Sequence, residues 1–476
     1  MLNSTNSHGG EKRKKMKSEN KKAISSIGIT AILAISFLAA FSLVAISGVQ
    51  ANPDIINVNE TGWWNETGDT TFHPSSTPIQ AAIDNATAGD TINVAAGTYH
   101  ESKGGWRDFE IFNKDISLVG AGSGQTVVQL TGLQHGLEIR GTNTNVLIEG
   151  ITFTRTPGNT YSAEWAIVVG ETGGSFANLT FRDVEVAYAK ARNVYLAAAT
   201  YQNILVENCN IHHAGAWGFS ARGTAINGMT VRNSTFEYNG EDDPKHGIGF
   251  DIDIPDNVQH ITIEGGSFSH NWCKGINLVK VNDVNLKGIT ANENGEAGIC
   301  LWEWMGTSSN IQIENATLNN NGLDGILLGA ETGKKIDNVT ILGSTITGNG
   351  RDGVMVYRAS GWYEGQISNV TIHCSNIYDN TQFGAQVVLA YEDVNAENNW
   401  WGDASGPSGV GPGTGDAVSA NVTYDPWLPM EIQYCPECGG VPPVSKPVPE
   451  YNIFGLLALV GILSVVLAVA TLRKRG

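Results

Sequence analysis

The chain has 476 residues, 57 of them glycine, with 41% hydrophobic and only 16% charged, and a formal net charge of −18. That apolar content argues against disorder, and the acidic excess argues against a nucleic-acid partner, whose phosphates need a basic footprint. Length alone would allow three domains, but one repeat occupies most of the chain, so a single elongated domain is the better count.

Residues 12–22 carry seven Lys or Arg, an apolar run fills residues 24–46, and Val49-Gln-Ala51 follows. Basic, apolar and small-residue regions in this order describe a secretory signal over residues 1–51, cut after Ala51; an uncleaved anchor is the alternative, and Met16 is an alternative start. Next, Ile79, Ala82 and Ile83 have helical spacing, with Pro78 in the first turn and Thr77 or Ser76 as N-cap. A short helix followed by a strand would cover the open end of a solenoid, which otherwise exposes core and edge groups.

The body is built on a repeat. Its clearest copy runs Asn310-Ile-Gln-Ile-Glu-Asn-Ala-Thr-Leu318, then Asn319-Asn-Asn-Gly322, then Asp324-Gly-Ile-Leu-Leu328. Two alternating apolar runs around an Asn/Gly turn read as strand, turn, strand. The position before the first run recurs at Asp115, Asn145, Asn178, Asn203, Gly228, His260, Asp283, Asn310, Asn338, Asn369 and Asp393, at spacings from 23 to 33 residues. The second run is marked by Gly218, Gly247, Gly275, Gly298, Gly325, Gly353 and Gly384. A propeller blade needs four strands in roughly 40 residues, and a leucine-rich repeat needs a fixed Leu spacing that is absent. The pattern predicts a parallel β-helix of about eleven coils, a rod roughly 50 Å long at about 4.8 Å per coil.

On a solenoid a site should appear as outward residues in one register of successive coils. Residues directly after the marker glycine (Phe219, Ile248, Ile276, Ile299, Ile326, Val354) are read as inward. Those four past it, Arg222, Asp251, Val279, Trp302, Gly329 and Tyr357, are then outward, with Asp253 and Trp304 six past. Aromatic rings for stacking beside carboxylates and a guanidinium suit glycan recognition, with Arg222, Asp251, Trp302, Trp304 and Tyr357 as the binding set.

The densest piece is Glu241-Asp-Asp-Pro-Lys-His-Gly-Ile-Gly-Phe-Asp-Ile-Asp253, in one of the longest coils. Its bland reading is a solvated acidic turn with Asp251 paired to Arg222. Its chemical readings differ in what they need. Inverting hydrolysis would use Asp251 with Asp253 or Asp243. Lyase chemistry would use Lys274 or His246 as base, with Ca²⁺ on Asp243, Asp251 and Asp253 to neutralise a uronate. Epimerisation would use the same groups. No diagnostic spacing selects among them, and the reading leans towards binding.

Six cysteines in an exported chain invite a disulfide reading. Cys273 precedes its marker glycine by two residues and Cys300 follows its own by two, an offset of roughly 13 Å at strand rise, too far for a bridge. Cys435-Pro-Glu-Cys438 is a tight disulfide or half of a metal site without a second half. Nine Asn-x-Ser/Thr sites beyond residue 51 include Asn178, Asn338 and Asn369, which occupy the repeat anchor, where corner geometry explains the Asn without a glycan.

The Pro-rich residues 441–450 read as a stiff spacer, and residues 453–472 as a membrane-spanning helix with Arg473-Lys-Arg475 on the cytoplasmic side. Removing 7 basic and 2 acidic residues at the start and 3 basic ones at the end leaves 19 basic against 45 acidic residues, a net of about −26. Cations and neutral or cationic glycans are the natural partners of such a body.

The passage from Ile79 to Glu101 resembles the start of pectin-lyase-like β-helix proteins. Asn398-Asn-Trp-Trp-Gly-Asp-Ala-Ser-Gly-Pro-Ser-Gly409 resembles the last coil of NosD-like β-helix proteins. These resemblances imply a right-handed helix, and so an all-β right-handed parallel β-helix with an N-terminal capping helix and a C-terminal transmembrane helix. Pro449-Glu-Tyr451, the apolar span and Arg-Lys-Arg resemble the PEF-CTERM sorting signal of archaeal surface proteins, with Tyr451 in place of the usual Phe. That implies a membrane sortase as partner and attachment to the envelope. The organisation expected is a signal at residues 1–51, β-helix domain at 52–430, linker at 431–450 and anchor at 451–476. The function expected is a cell-surface protein that binds extracellular polysaccharide or forms part of the coat, with a polysaccharide lyase, epimerase or hydrolase around Asp251 as the rival.

Overall fold

The structure is a computed structural model that describes residues 53–433, apart from residues 105, 131–133, 156–163, 359–364 and 390–391. The signal, the Cys435/Cys438 pair, the Pro-rich spacer and the apolar residues 453–472 lie outside the described residues. Among those described, no helix is long and apolar enough to cross a membrane.

The coil containing Asn310 shows how sequence becomes architecture. A long strand, Thr307–Glu314, is followed by a short one, Thr317–Asn319, and by a third, Ile326–Ala330. Ile311, Ile313, Leu318, Ile326 and Leu328 alternate inward and are at most 1% exposed. Each strand pairs in parallel with its counterpart one coil on: Ile311 with Val339, Leu318 with Ile346, Ile326 with Val354. The result is a β-solenoid of about eleven turns with three faces and one continuous apolar column. Antiparallel strand pairing occurs at its beginning, where Ile55–Asn59, Gly62–Asn65 and His73–Pro74 form a small meander.

The corners explain the anchors. Eight of the eleven, Asn178, Asn203, Gly228, His260, Asp283, Asn310, Asn338 and Asn369, have φ between 48° and 86°. This left-handed conformation is one that Asn, Asp and Gly tolerate best. The side chains also link coils: Asn338 Nδ2 donates to Asn310 Oδ1 at 2.8 Å, and Asn310 Nδ2 to Asp283 Oδ1 at 3.0 Å.

A second ladder lies inside. Asn239, Asn271, Asn294, Asn321, Asn349 and Asn380 are all buried, and each Nδ2 donates to the Oδ1 of the next at 2.8–3.1 Å. The same Oδ1 accepts the preceding asparagine's backbone N–H, for example Asn294 N to Asn321 at 3.0 Å. The series ends where Asn380 Nδ2 donates to Asp416 Oδ2 at 2.8 Å. Buried polar groups are tolerated here because they are partnered.

The marker glycines are a matter of space. A Cβ on Gly218, Gly249, Gly275, Gly298, Gly325 or Gly353 would lie 2.6–2.9 Å from the carbonyl oxygen of the next glycine in that series, ending at Gly384. The expected marker Gly247 is therefore corrected to Gly249: Phe219 pairs with Phe250, and their rings stack at 5.0 Å. Gly247 instead lies just before the strand, beside a 3₁₀ turn over Pro244–His246 that absorbs the extra residues of this coil. Ile248, expected inward, pairs with Lys274 outside the core column and is buried there.

At the N-terminal end, helix α1 spans Pro78–Asn85 and packs Ile79, Ala82 and Ile83 against the first strands. Thr77 holds the N-cap position, but its side chain makes no capping bond. Glu101 takes that role, accepting the backbone N–H groups of Ile79 and Gln80 at 3.0 Å each. Burial pushes its carboxyl up to about 7, against the pull of those two donors. Local spacing pointed to the nearest hydroxyl; the tertiary contact outcompetes it with a carboxyl acceptor at the positive end of the helix.

A candidate glycan-binding face

The third face is built from one strand per coil, among them Arg107–Phe112, His135–Asn143, Trp165–Ala177, Arg192–Leu196, Trp217–Arg222, Ile248–Asp253, Lys274–Leu278 and Ile299–Glu303. Parallel register places outward residues in columns. One column runs Arg107, His135, Trp165, Arg192, Trp217 and reaches Lys274 through Ile248. The next runs Tyr195, Ser220, Asp251, Asn277, Cys300. A third contains Arg222 beside Asp253 and, further along, Trp302, Gly329 and Tyr357.

The two-residue shift of the marker glycine changes the partners expected in the long coil. Asp253, not Asp251, stands beside Arg222 and pairs with it, Nη2 to Oδ2, at 3.3 Å. Asp251 lies one column in and is 1% exposed. Its Oδ1 accepts Asn277 Nδ2 at 2.8 Å, and burial pushes its carboxyl up to about 6, opposed by that hydrogen bond. It forms part of the floor of the face.

The other expected residues fall into separate places. Asp243 and His246 share the exposed 3₁₀ turn, joined Oδ2 to Nδ1 at 2.7 Å, with the His246 ring 4.7 Å from that of Trp217. Asp243 is thus tied to a histidine, Asp253 to an arginine and Asp251 to an asparagine; the three aspartates are not brought together as one ligand set. Lys274 is raised by the Cys300 sulfur and, to a lesser degree, by Cys273, Glu296 and Asp251, against the cost of burial.

Trp302 lies over Gly329 and stacks on Tyr357 at 5.8 Å and 15°, its Nε1 donating to Glu331 Oε1 at 3.0 Å. Trp304 is 39% exposed in the turn after that strand, outside the column. Cys273 and Cys300 are both buried and unbridged, as is Cys209.

Sequence reading missed the upper half of the face. Arg192 lies 4.1 Å over the Trp217 ring, 4.7 Å over Tyr195 and 5.9 Å from Trp165, in a cation–π cluster spanning three coils. Burial lowers its pKa. Nearer the N-terminus, Glu110 gathers Lys103 at 2.8 Å, Arg107 at 2.5 Å and Arg140 at 2.8 Å. These contacts hold its carboxyl down at about 2 despite burial. In the coils of Trp165 and Arg192, Ala166 and Asn193 stand where later coils have glycine, so no marker fixed the register there. The alternation itself, with Ile167/Val169 and Val194/Leu196 inward, would have supplied it.

A family described as right-handed β-helix region matches residues 245–364. No curated protein matches the sequence. Among solved structures, the Dettilon tailspike protein is similar at 14% identity and a TM-score of 0.53, over 77% of this chain and 68% of that one. The A-module of the mannuronan C-5 epimerase AlgE4 of Azotobacter vinelandii is similar at 16% identity and TM-score 0.40, over 73% of this chain and 92% of that one. Pectate lyase Pel9A is similar at 17% identity and TM-score 0.39, over 78% and 79%. At 14% identity the likeness to the tailspike protein concerns fold alone, and with the family match the fold of this chain is a right-handed parallel β-solenoid.

Proposed function

We propose that the protein binds an extracellular polysaccharide along the third face. The observation that carries this reading is the Trp165, Arg192, Tyr195 and Trp217 cluster, which sets aromatic faces and a guanidinium side by side in consecutive coils. Sugar rings offer apolar C–H faces to aromatic rings, and hydroxyls or carboxylates to Arg. Trp302 and Tyr357 extend the aromatic character of the face further along the rod.

Binding is favoured over turnover because the expected acid, Asp251, is buried beneath the surface and already hydrogen-bonded. Tailspike, lyase and epimerase relatives in fold accord with a glycan partner but do not choose the chemistry. The reading includes export by residues 1–51, α1 as the lid of the first coil, a transmembrane or sortase-processed attachment at residues 451–476, and a place at the cell surface. The PEF-CTERM-like tail and the NosD-like last coil support it.

Size-exclusion chromatography with a panel of acidic and neutral polysaccharides, with and without Ca²⁺, tests it. Co-elution with intact glycan, lost in Trp217→Ala, supports the reading. Shortened or epimerised glycan would instead make the face an active site. No interaction across the panel would overturn both.

A further inference from the structure

At the N-terminal end of the third face, His135 and Glu138 stand three residues apart on one strand. Glu171 comes from the next. One ligand atom from each lies within 4.8 Å of the others. His135 Nε2 is 3.3 Å from Glu171 Oε2, and its Nδ1 is 3.6 Å from Glu138 Oε2.

His135 is 2% exposed and Glu138 0%, yet neither ring nitrogen and neither Glu138 oxygen makes a hydrogen bond. Buried polar atoms gathered at one point without hydrogen bonds are costly unless something else satisfies them. Arg107 Nε approaches Glu138 Oε2 at 2.5 Å, but that nitrogen also lacks hydrogen-bond geometry, and Arg107 is engaged through Nη1 with Glu110. The imidazole plane is set by stacking on Trp165 at 4.9 Å and 13°.

We propose that His135, Glu138 and Glu171 hold a divalent transition-metal ion. One imidazole nitrogen with two carboxylates is a donor set for Zn²⁺ or Mn²⁺. Ca²⁺ takes six to eight oxygens and is disfavoured by the nitrogen donor. Three protein ligands leave coordination positions for water or for an anionic group arriving from solvent, on the side where Glu171 is exposed. The inference stands on this cluster alone and does not depend on the glycan reading.

The test is isothermal titration of the chelator-stripped full chain with Zn²⁺, Mn²⁺ and Ca²⁺, alongside thermal melts. One Zn²⁺ or Mn²⁺ per chain is expected, with a rise in Tm. Affinity should fall at least about tenfold in both Glu171→Gln and His135→Gln and be unchanged in Asp243→Asn. Glu171 is solvent-facing, so its variant reads the site even if replacing buried His135 impairs folding. Absence of stoichiometric binding, binding that survives Glu171→Gln, or preference for Ca²⁺ would overturn the assignment.

Discussion

Asn277 Nδ2 donates to Asp251 Oδ1 at 2.8 Å across adjacent coils, and this contact only partly offsets the burial that governs how the most suggestive aspartate of the sequence behaves. The Asp251 carboxyl ionises near 3.8 when unperturbed and at about 6 in the fold. Protonation therefore favours the folded state: the contribution is full below about pH 4 and is lost as pH rises through 6. Asp251→Asn removes this dependence. Relative to the variant, the wild type should lose on the order of 3 kcal/mol between pH 4 and pH 7, measured by urea denaturation across that range.

The cation–π cluster predicts a different signature. Arg192→Ala and Trp217→Ala should each weaken polysaccharide binding roughly tenfold, about 1–2 kcal/mol, while leaving the melting transition little changed. Affinity electrophoresis with circular dichroism as control reads both. A variant that melts early without losing affinity would assign the cluster to stability alone.

Inside the solenoid, Asn321→Ala should cost about 2–4 kcal/mol. It strips the acceptor from Asn294 N and Asn294 Nδ2, each at 3.0 Å, and the donor to Asn349 Oδ1. Equilibrium denaturation measures the loss, and hydrogen exchange should show the Asn294 amide opening first.

Gly298→Ala tests close approach rather than hydrogen bonding. The added methyl would lie 2.8 Å from Ala291 O and 2.9 Å from Gly325 O, backbone atoms that can yield only by separating coils. A loss of about 1–3 kcal/mol in thermal or chemical denaturation is expected.

Most of the fold was legible because each coil repeats three physical demands: alternation for the core, a left-handed corner, and a glycine where backbones meet. His260 at an anchor with φ of 61° belongs to the same set, though its side chain gives no hint of it. The site was less legible. A two-residue extension before Phe250 placed Gly247 where Gly249 belonged and moved Asp251 from the rim to the floor. The interior asparagines were visible four residues before Gly275, Gly298, Gly325, Gly353 and Gly384, but a polar residue in a turn is ordinarily read as solvent-facing. His135, Glu138 and Glu171 carried no signal at all in sequence, because Glu171 lies within the register shift between Val169 and Gly174.

The asparagine ladder has a direction. Each member receives from the coil before and gives to the coil after, so any coil placed within it leaves one outstretched amide for its successor to meet. Asp416 meets the last of these with an oxygen and, as a carboxylate, passes nothing on. The rod thus carries a stop sign written in protons: extending it by one more copy of the repeat would require that acid to become an amide again, and a new acid to be supplied beyond it.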